Sequence, residues 1–171
     1  MIKQIRVDDR LIHGQVALVW SKELNTPGIV VANDGAAKNE SVKMTLKMAT
    51  PTGLKLLVKT VDDAIKVFND ARAGDMAIFA LTRNITDACT LVKNCPGRIE
   101  TVNVANAGRF DTDRRGQMML GGGTIFCSPK EMESARELVG LMGNNFFHQL
   151  HPANAKTPME ELLKTAEEVK L

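Results

Sequence analysis

Short β-type runs separated by stretches of helical periodicity constrain this chain more than any other feature. Ile29 to Ala32, Leu54 to Lys59, Met76 to Leu81 and Ile99 to Val104 each span four to six residues. Runs this short and this apolar read as strands covered on both faces. Strand and helix in alternation then imply a three-layer α/β/α architecture with a mostly parallel central sheet. Ile2, Ile5 and Val7 supply a first strand, and Val16, Val19, Trp20 and Leu24 recur at helical spacing after it. A helix over Glu40 to Ala49 stops at Thr50-Pro51, because the residue before proline avoids the helical region. Thr60 caps a helix with Asp63 at the capping-box position, and Val61, Ala64, Ile65, Phe68 and Ala71 form its inward stripe. Thr86 to Asn94 reads as a helix and Thr124 to Cys127 as a strand. Ser128-Pro129 with Glu131 opens a helix that faces inward through Met132, Ala135, Leu138, Val139 and Met142. Asn145 to Leu150 reads as a final strand, and Thr157-Pro158 with Glu160 opens the last helix. No linker interrupts the pattern, so residues 1–171 are expected to form one domain.

In such sheets, ligands sit at the carboxyl ends of the strands, near a switch in strand order. The first strand ends in Arg6-Val7-Asp8-Asp9-Arg10-Leu11-Ile12-His13-Gly14-Gln15-Val16. His13 therefore lies in a strand-to-helix loop, beside the first-turn N–H groups around Gly14, Gln15 and Val16. Those donors lack intrahelical partners and carry the positive end of the helix dipole, so an anion is stabilised there. Taken alone, Asp-Asp-Arg also reads as a turn with a local ion pair, and one histidine as an ordinary loop residue. The spacing favours chemistry: Arg10, three residues before His13, can reach back over the imidazole and grip phosphate oxygens in a bidentate fashion. A phosphohistidine requires a neutral imidazole whose second nitrogen is oriented by a partner. Asp8 or Asp9 can accept that N–H, or can instead position Arg10. Thr82 and Arg83 follow the fourth strand and Asn106 the fifth, on the same edge; Thr82 and Asn106 are further phosphate-binding candidates, and both equally serve as loop residues that satisfy backbone.

The string Arg6 to Val16 resembles the active-site signature of enzyme IIB components of the mannose/fructose/sorbose family of the bacterial sugar phosphotransferase system. The resemblance continues through Ile29 to Asp34, Lys47 to Gly53 and Asn103 to Gly108, and covers essentially the whole chain. Departures come late: Ala105 and Ala107 replace commoner glycine or methionine, Gly121-Gly122-Gly123 is unusual, and Phe146 to Ala155 matches loosely. The resemblance implies a sheet of about seven strands with the fourth and fifth flanking the first. It also implies a protein-Nπ-phosphohistidine:sugar phosphotransferase in which His13 takes a phosphoryl group from a phosphorylated IIA component. The group then passes to a sugar of the mannose, fructose, sorbose or N-acetylgalactosamine type, during uptake through membrane IIC and IID components. A cytoplasmic location follows from the resemblance, with association at the inner face of the membrane through IIC and IID. No cofactor and no metal are implied. Which sugar, which imidazole nitrogen and whether the chain is a homo-oligomer stay open.

Composition bounds the other classes. A chain of 171 residues with 44% hydrophobic and 25% charged residues can fill one core. The start, Met1-Ile2-Lys3-Gln4, has no signal-peptide apolar region, and no apolar stretch reaches the roughly 20 residues needed to span a bilayer. Cys89, Cys95 and Cys127 include no Cys-x-x-Cys pair and read as buried thiols. A dispersed net charge of +2 and 4% aromatic residues disfavour nucleic acid as a partner. His148 and His151 read as surface or packing residues without an arginine nearby. Two rival readings use the same residues. A receiver-like signalling domain shares paired acids after strand one and a threonine after strand four, but needs an acceptor aspartate after strand three, where this chain has Val58-Lys59-Thr60. A phosphate loop at Gly121-Gly122-Gly123 needs a lysine and a following helix, and an apolar strand follows instead.

Overall fold

The computed structural model describes residues 1–170; Leu171, the last residue of the expected domain, lies outside the described residues. Strands β1 (Ile2–Asp8), β2 (Gly28–Ala32), β3 (Lys55–Lys59), β4 (Ile78–Thr82), β5 (Val102–Asn106), β8 (Phe146–His148) and β9 (Thr157–Pro158) form one sheet in the order β3-β2-β4-β1-β5-β8-β9. All neighbours run parallel except β9, which is antiparallel to β8. The fourth and fifth strands flank the first, as the resemblance implied. This order differs from the 2-1-3-4-5 arrangement of receiver-type folds, because β3 lies at the outer edge, separated from β1 by β2 and β4.

Alternation along the central strands divides the core into two layers. Ile29 and Val31 of β2 and Phe79 and Leu81 of β4 join Ala17 and Trp20 of α1 (Gly14–Glu23), Ala36 of α2 (Asp34–Ala37) and Leu46 of α3 (Glu40–Ala49). Val30, Ile78 and Ala80 point the other way, toward α4 (Val61–Asn69), α5 (Ile85–Asn94), α6 (Pro129–Met142) and α7 (Met159–Lys164). β1 puts Ile5 and Val7 into that second layer and turns Gln4, Arg6 and Asp8 toward the α1 side, where all three are buried. The three cysteines are buried thiols, and burial pushes the Cys127 thiol up to about 12.

Several boundaries differ from the sequence reading. The first β4 residue is Ile78, since Met76 is exposed, and β5 runs from Val102 to Asn106 while Ile99 makes one isolated bridge to Ile2. α4 ends at Asn69, so Ala71 is exposed in the 3₁₀ turn Ala71–Asp75 and not part of the inward stripe. Asp34-Gly35 opens the short helix α2, because the Asn33 side chain accepts the Ala36 N–H at 2.8 Å. Thr157-Pro158 pairs with β8, and the last helix starts one residue later, at Met159. The three glycines at 121–123 turn β6 (Met118–Leu120) back onto β7 (Ile125–Cys127) as an antiparallel hairpin. With β10 (Glu167–Glu168) that hairpin makes a second sheet of three short strands.

Candidate functional site

The motif loop is built as a tight turn locked to the core. The Leu11 N–H donates to the Asp8 carbonyl at 2.9 Å, and Leu11 takes a positive φ of 58°. That conformation is uncommon for a residue with a branched side chain and costs on the order of 1 kcal/mol. Burial of Leu11 and Ile12 against the α1-side core holds it in place. The chain then enters α1 with His13 at the N-cap in extended conformation and with no side-chain cap on the first-turn N–H groups. Gly14 has φ +48°, and a Cβ there would meet nothing within 4 Å. Glycine is needed at this position for its backbone conformation, and the space above it is open. Gln15 is exposed, and Val16 is half-buried against the α1-side core.

Asp8, at the last position of β1, is fully buried and touches three groups. Its Oδ2 lies 2.9 Å from His13 Nε2, and its Oδ1 accepts the Arg10 N–H at 3.1 Å. The third group is Arg6, whose Nε is 3.8 Å from Oδ2. A carboxylate accepts only, so Nε2 carries the hydrogen and a neutral His13 keeps its lone pair on Nδ1. The His13 side chain is 20% exposed, which leaves the ring reachable from outside. The Arg10 guanidinium stays at the surface, 45% exposed, with Nε 3.9 Å from Asp8 Oδ1.

Asp9 has a different partner. Its carboxylate receives Arg109 Nη2 at 2.6 Å and Nε at 2.9 Å in a bidentate pair, while the Asp9 N–H donates to the Asn106 carbonyl at 2.9 Å. The pair raises the Arg109 guanidinium above its ordinary range through the hydrogen bonds to Asp9. Of the two acids left open by the sequence, Asp8 meets the imidazole and Asp9 clamps the loop after β5. Asn106 thus meets the motif loop through its backbone. Thr82, the last residue of β4, pairs with Val7 of β1; it is fully buried, and its hydroxyl donates to the Asn84 carbonyl at 3.0 Å, which shapes the β4–α5 loop. Arg83 is exposed and lines, with Asp9, Arg10, Asn84, Phe110 and Glu131, a cleft of about 590 Å³ beside the motif loop. His13 is not among the residues lining that cleft.

Sequence reasoning missed Arg6 and Arg109, whose partners are distant in the chain. Arg6 also corrects the expectation that no arginine approaches the His148 to His151 segment: its Nη1 and Nη2 donate to the carbonyls of Gln149 and Leu150, both at 3.2 Å. His148 itself holds the Val104 carbonyl through Nδ1 at 2.5 Å, a packing contact. Among the described residues, no group of three or more His, Cys, Asp or Glu side chains is placed to hold a metal ion, and no helix is long and apolar enough to cross a membrane.

A surface-accessible imidazole with one nitrogen fixed by a buried carboxylate, next to a guanidinium and an uncapped helix start, can accept and hold a phosphoryl group. Comparison with known proteins points the same way. The family described as the sorbose subfamily IIB component of the PTS system matches residues 2–171. A probable phosphotransferase enzyme IIB component from Streptococcus pyogenes serotype M6 is 52% identical over 163 residues, covering 95% of this chain and 99% of that protein. The mannose-specific EIIAB component of Escherichia coli K12 is 38% identical over 99 residues, 58% of this chain and 30% of that longer protein. The crystal structure of the IIBSor domain of the sorbose permease from Klebsiella pneumoniae superposes with a TM-score of 0.84 at 28% identity, covering 96% of this chain and 97% of that one.

Proposed function

The chain belongs to the sorbose subfamily of IIB components of the sugar phosphotransferase system, and from that premise we propose that His13 Nδ1 carries the phosphoryl group. The observation that supports this reading is the 2.9 Å contact between His13 Nε2 and the buried Asp8 carboxylate. The donor is a phosphohistidine on a IIA component; that a mannose-specific relative carries A and B parts in one protein supports this pairing. In the transfer, the donor's N–P bond breaks as the bond from phosphorus to Nδ1 forms. No proton has to move, because Nε2 already holds its hydrogen. The phosphorylated ring gains positive character, and Asp8 offsets it across the Nε2–H bond. The transition state is loose, with charge spread over the equatorial oxygens, so positioning and electrostatic stabilisation carry catalysis. Arg10 and the N–H groups of Gly14, Gln15 and Val16 supply that stabilisation.

The group then passes to a sugar hydroxyl delivered through membrane IIC and IID components, which places the protein at the inner face of the membrane. Residues 1–171 act in this reading as one phosphotransfer domain. The test is intact mass at neutral to alkaline pH after incubation with phosphoenolpyruvate, enzyme I, HPr and a IIA component. One added phosphoryl group on the wild type and none on His13→Ala is expected. Label that persists in His13→Ala moves the acceptor to another residue and ends the proposal.

A further inference from the structure

The α1-facing side of β1 is polar where its neighbours β2 and β4 are apolar. Gln4, Arg6 and Asp8 are buried there, and buried polar groups cost free energy unless they are partnered. Two of the three have clear partners. Gln4 Oε1 accepts from Asn103 Nδ2 at 3.1 Å, Asn103 Oδ1 accepts the Gln149 N–H at 2.9 Å, and Asp8 holds His13. Arg6 lies between them, 3% exposed, with its guanidinium carbon 5.0 Å from the centroid of the Trp20 ring. Two of its nitrogens meet the carbonyls of Gln149 and Leu150. The third, Nε, is buried with no hydrogen-bond partner and stands 3.8 Å from Asp8 Oδ2, the oxygen that takes the His13 N–H.

We propose that Arg6 is a positioning residue for His13: its buried guanidinium balances the charge of Asp8, so that the imidazole donates from Nε2 while remaining neutral. The inference rests on the reading of His13 as the phosphoryl acceptor. A buried carboxylate with no fixed counter-charge holds an imidazolium in preference to an imidazole, because the opposite charge stabilises the protonated ring. An imidazolium has no lone pair with which to attack phosphorus. With Arg6 beside it, Asp8 is already neutralised and gains less from a second cation. Burial lowers Arg6 only to about 10, so it stays charged at neutral pH. The other charged and titratable groups around the pair do not replace it. Arg10 is at the surface, 45% exposed, and lies on the other carboxylate oxygen, Arg109 is committed to Asp9, and His148 is committed to the Val104 carbonyl. Residues 149 and 150 present backbone carbonyls, and His151 beyond them is exposed.

The test compares wild type with Arg6→Gln and Arg6→Lys by two readouts across about pH 5 to 9: the ring ¹⁵N shifts of His13, and the rate at which phosphorylated IIA labels it. In Arg6→Gln the midpoint of imidazole protonation moves up by about one pH unit, a tenfold rise in proton affinity, and the acid limb of labelling moves with it. Arg6→Lys keeps the charge and restores the wild-type midpoint, although both variants melt at lower temperature through the disturbed contacts to Gln149 and Leu150. A wild-type midpoint in Arg6→Gln overturns the inference whatever its melting temperature. If Arg6→Gln does not fold, the buried Nε–H of Arg6 is followed in the wild type. Its resonance is expected to shift with the same midpoint as His13, and indifference to His13 protonation overturns the inference. Failure of the acceptor reading looks different: His13 takes no label at any pH, while the ¹⁵N midpoints still respond to Arg6.

Discussion

Replacing Asp8 with asparagine removes one charge and leaves the shape of the side chain, and the geometry fixes the consequence. Asp8 uses Oδ2 for His13 Nε2 at 2.9 Å and Oδ1 for the Arg10 N–H at 3.1 Å, so both of its oxygens accept. Asparagine offers one acceptor and one donor. With its oxygen toward His13, its amide hydrogens face the Arg10 N–H. With its nitrogen toward His13, it demands an acceptor at Nε2 and drives the ring hydrogen onto Nδ1, the nitrogen proposed to attack. Either arrangement forfeits a charge-assisted hydrogen bond, worth about 1.5–3 kcal/mol. At 1.36 kcal/mol per tenfold, the labelling rate falls by roughly 10- to 150-fold. Single-turnover labelling by phosphorylated IIA, quenched in base and read by intact mass, measures it. Asp9→Asn is the comparison: it weakens the clamp to Arg109 and leaves the imidazole contact in place, so its rate falls less. A wild-type rate in Asp8→Asn would refute the reasoning, as would a larger loss in Asp9→Asn.

Three further outcomes are expected. The Glu131 carboxylate accepts the N–H groups of Ile85 and Thr86 at the start of α5 and the Thr86 hydroxyl at 2.5 Å; Glu131→Ala strips these and costs about 2–4 kcal/mol in urea denaturation, while a loss below about 0.5 kcal/mol contradicts this. Burial, with help from Asp34 and Glu131, pushes Asp87 up from 3.8 to about 6. Because the folded state then binds the proton more tightly than the unfolded one, Asp87 makes stability fall as pH rises from about 4 through about 6; Asp87→Asn removes that slope, and an unchanged slope in chemical denaturation rejects the assignment. Gly108 has φ +69°, and a Cβ there collides with the Phe126 carbonyl, so Gly108→Ala lowers stability by about 3 kcal/mol or more in a thermal melt.

The strand and helix alternation was legible because it depends on local pattern: Ile29, Val30 and Val31 face opposite core layers within one run, as the sheet geometry requires. The motif loop was legible for the same reason, with His13 at a strand-to-helix junction. What the sequence left open depends on contacts across long separations. Asp8 and Asp9 are neighbours of one type, and only the end of β1 and an arginine 100 residues onward distinguish them. The role of Arg6 depends on carbonyls more than 140 residues away. Thr82 was open between a phosphate site and a loop because a threonine at that strand end fits both, and its hydroxyl contact to the Asn84 carbonyl depends on the shape of the turn. Of the second sheet, β7 was legible within the apolar run Thr124 to Cys127, whereas β6 and β10, three and two residues long without such a run, were too short for periodicity to register.

The most direct test of the central claim is to locate the phosphoryl group on the ring. Long-range ¹H–¹⁵N correlation on uniformly ¹⁵N-labelled protein, phosphorylated through the relay and held at alkaline pH, distinguishes the two imidazole nitrogens of His13. The account predicts phosphorus on Nδ1, with Nε2 protonated toward Asp8. Phosphorus on Nε2, or on any residue other than His13, would contradict it.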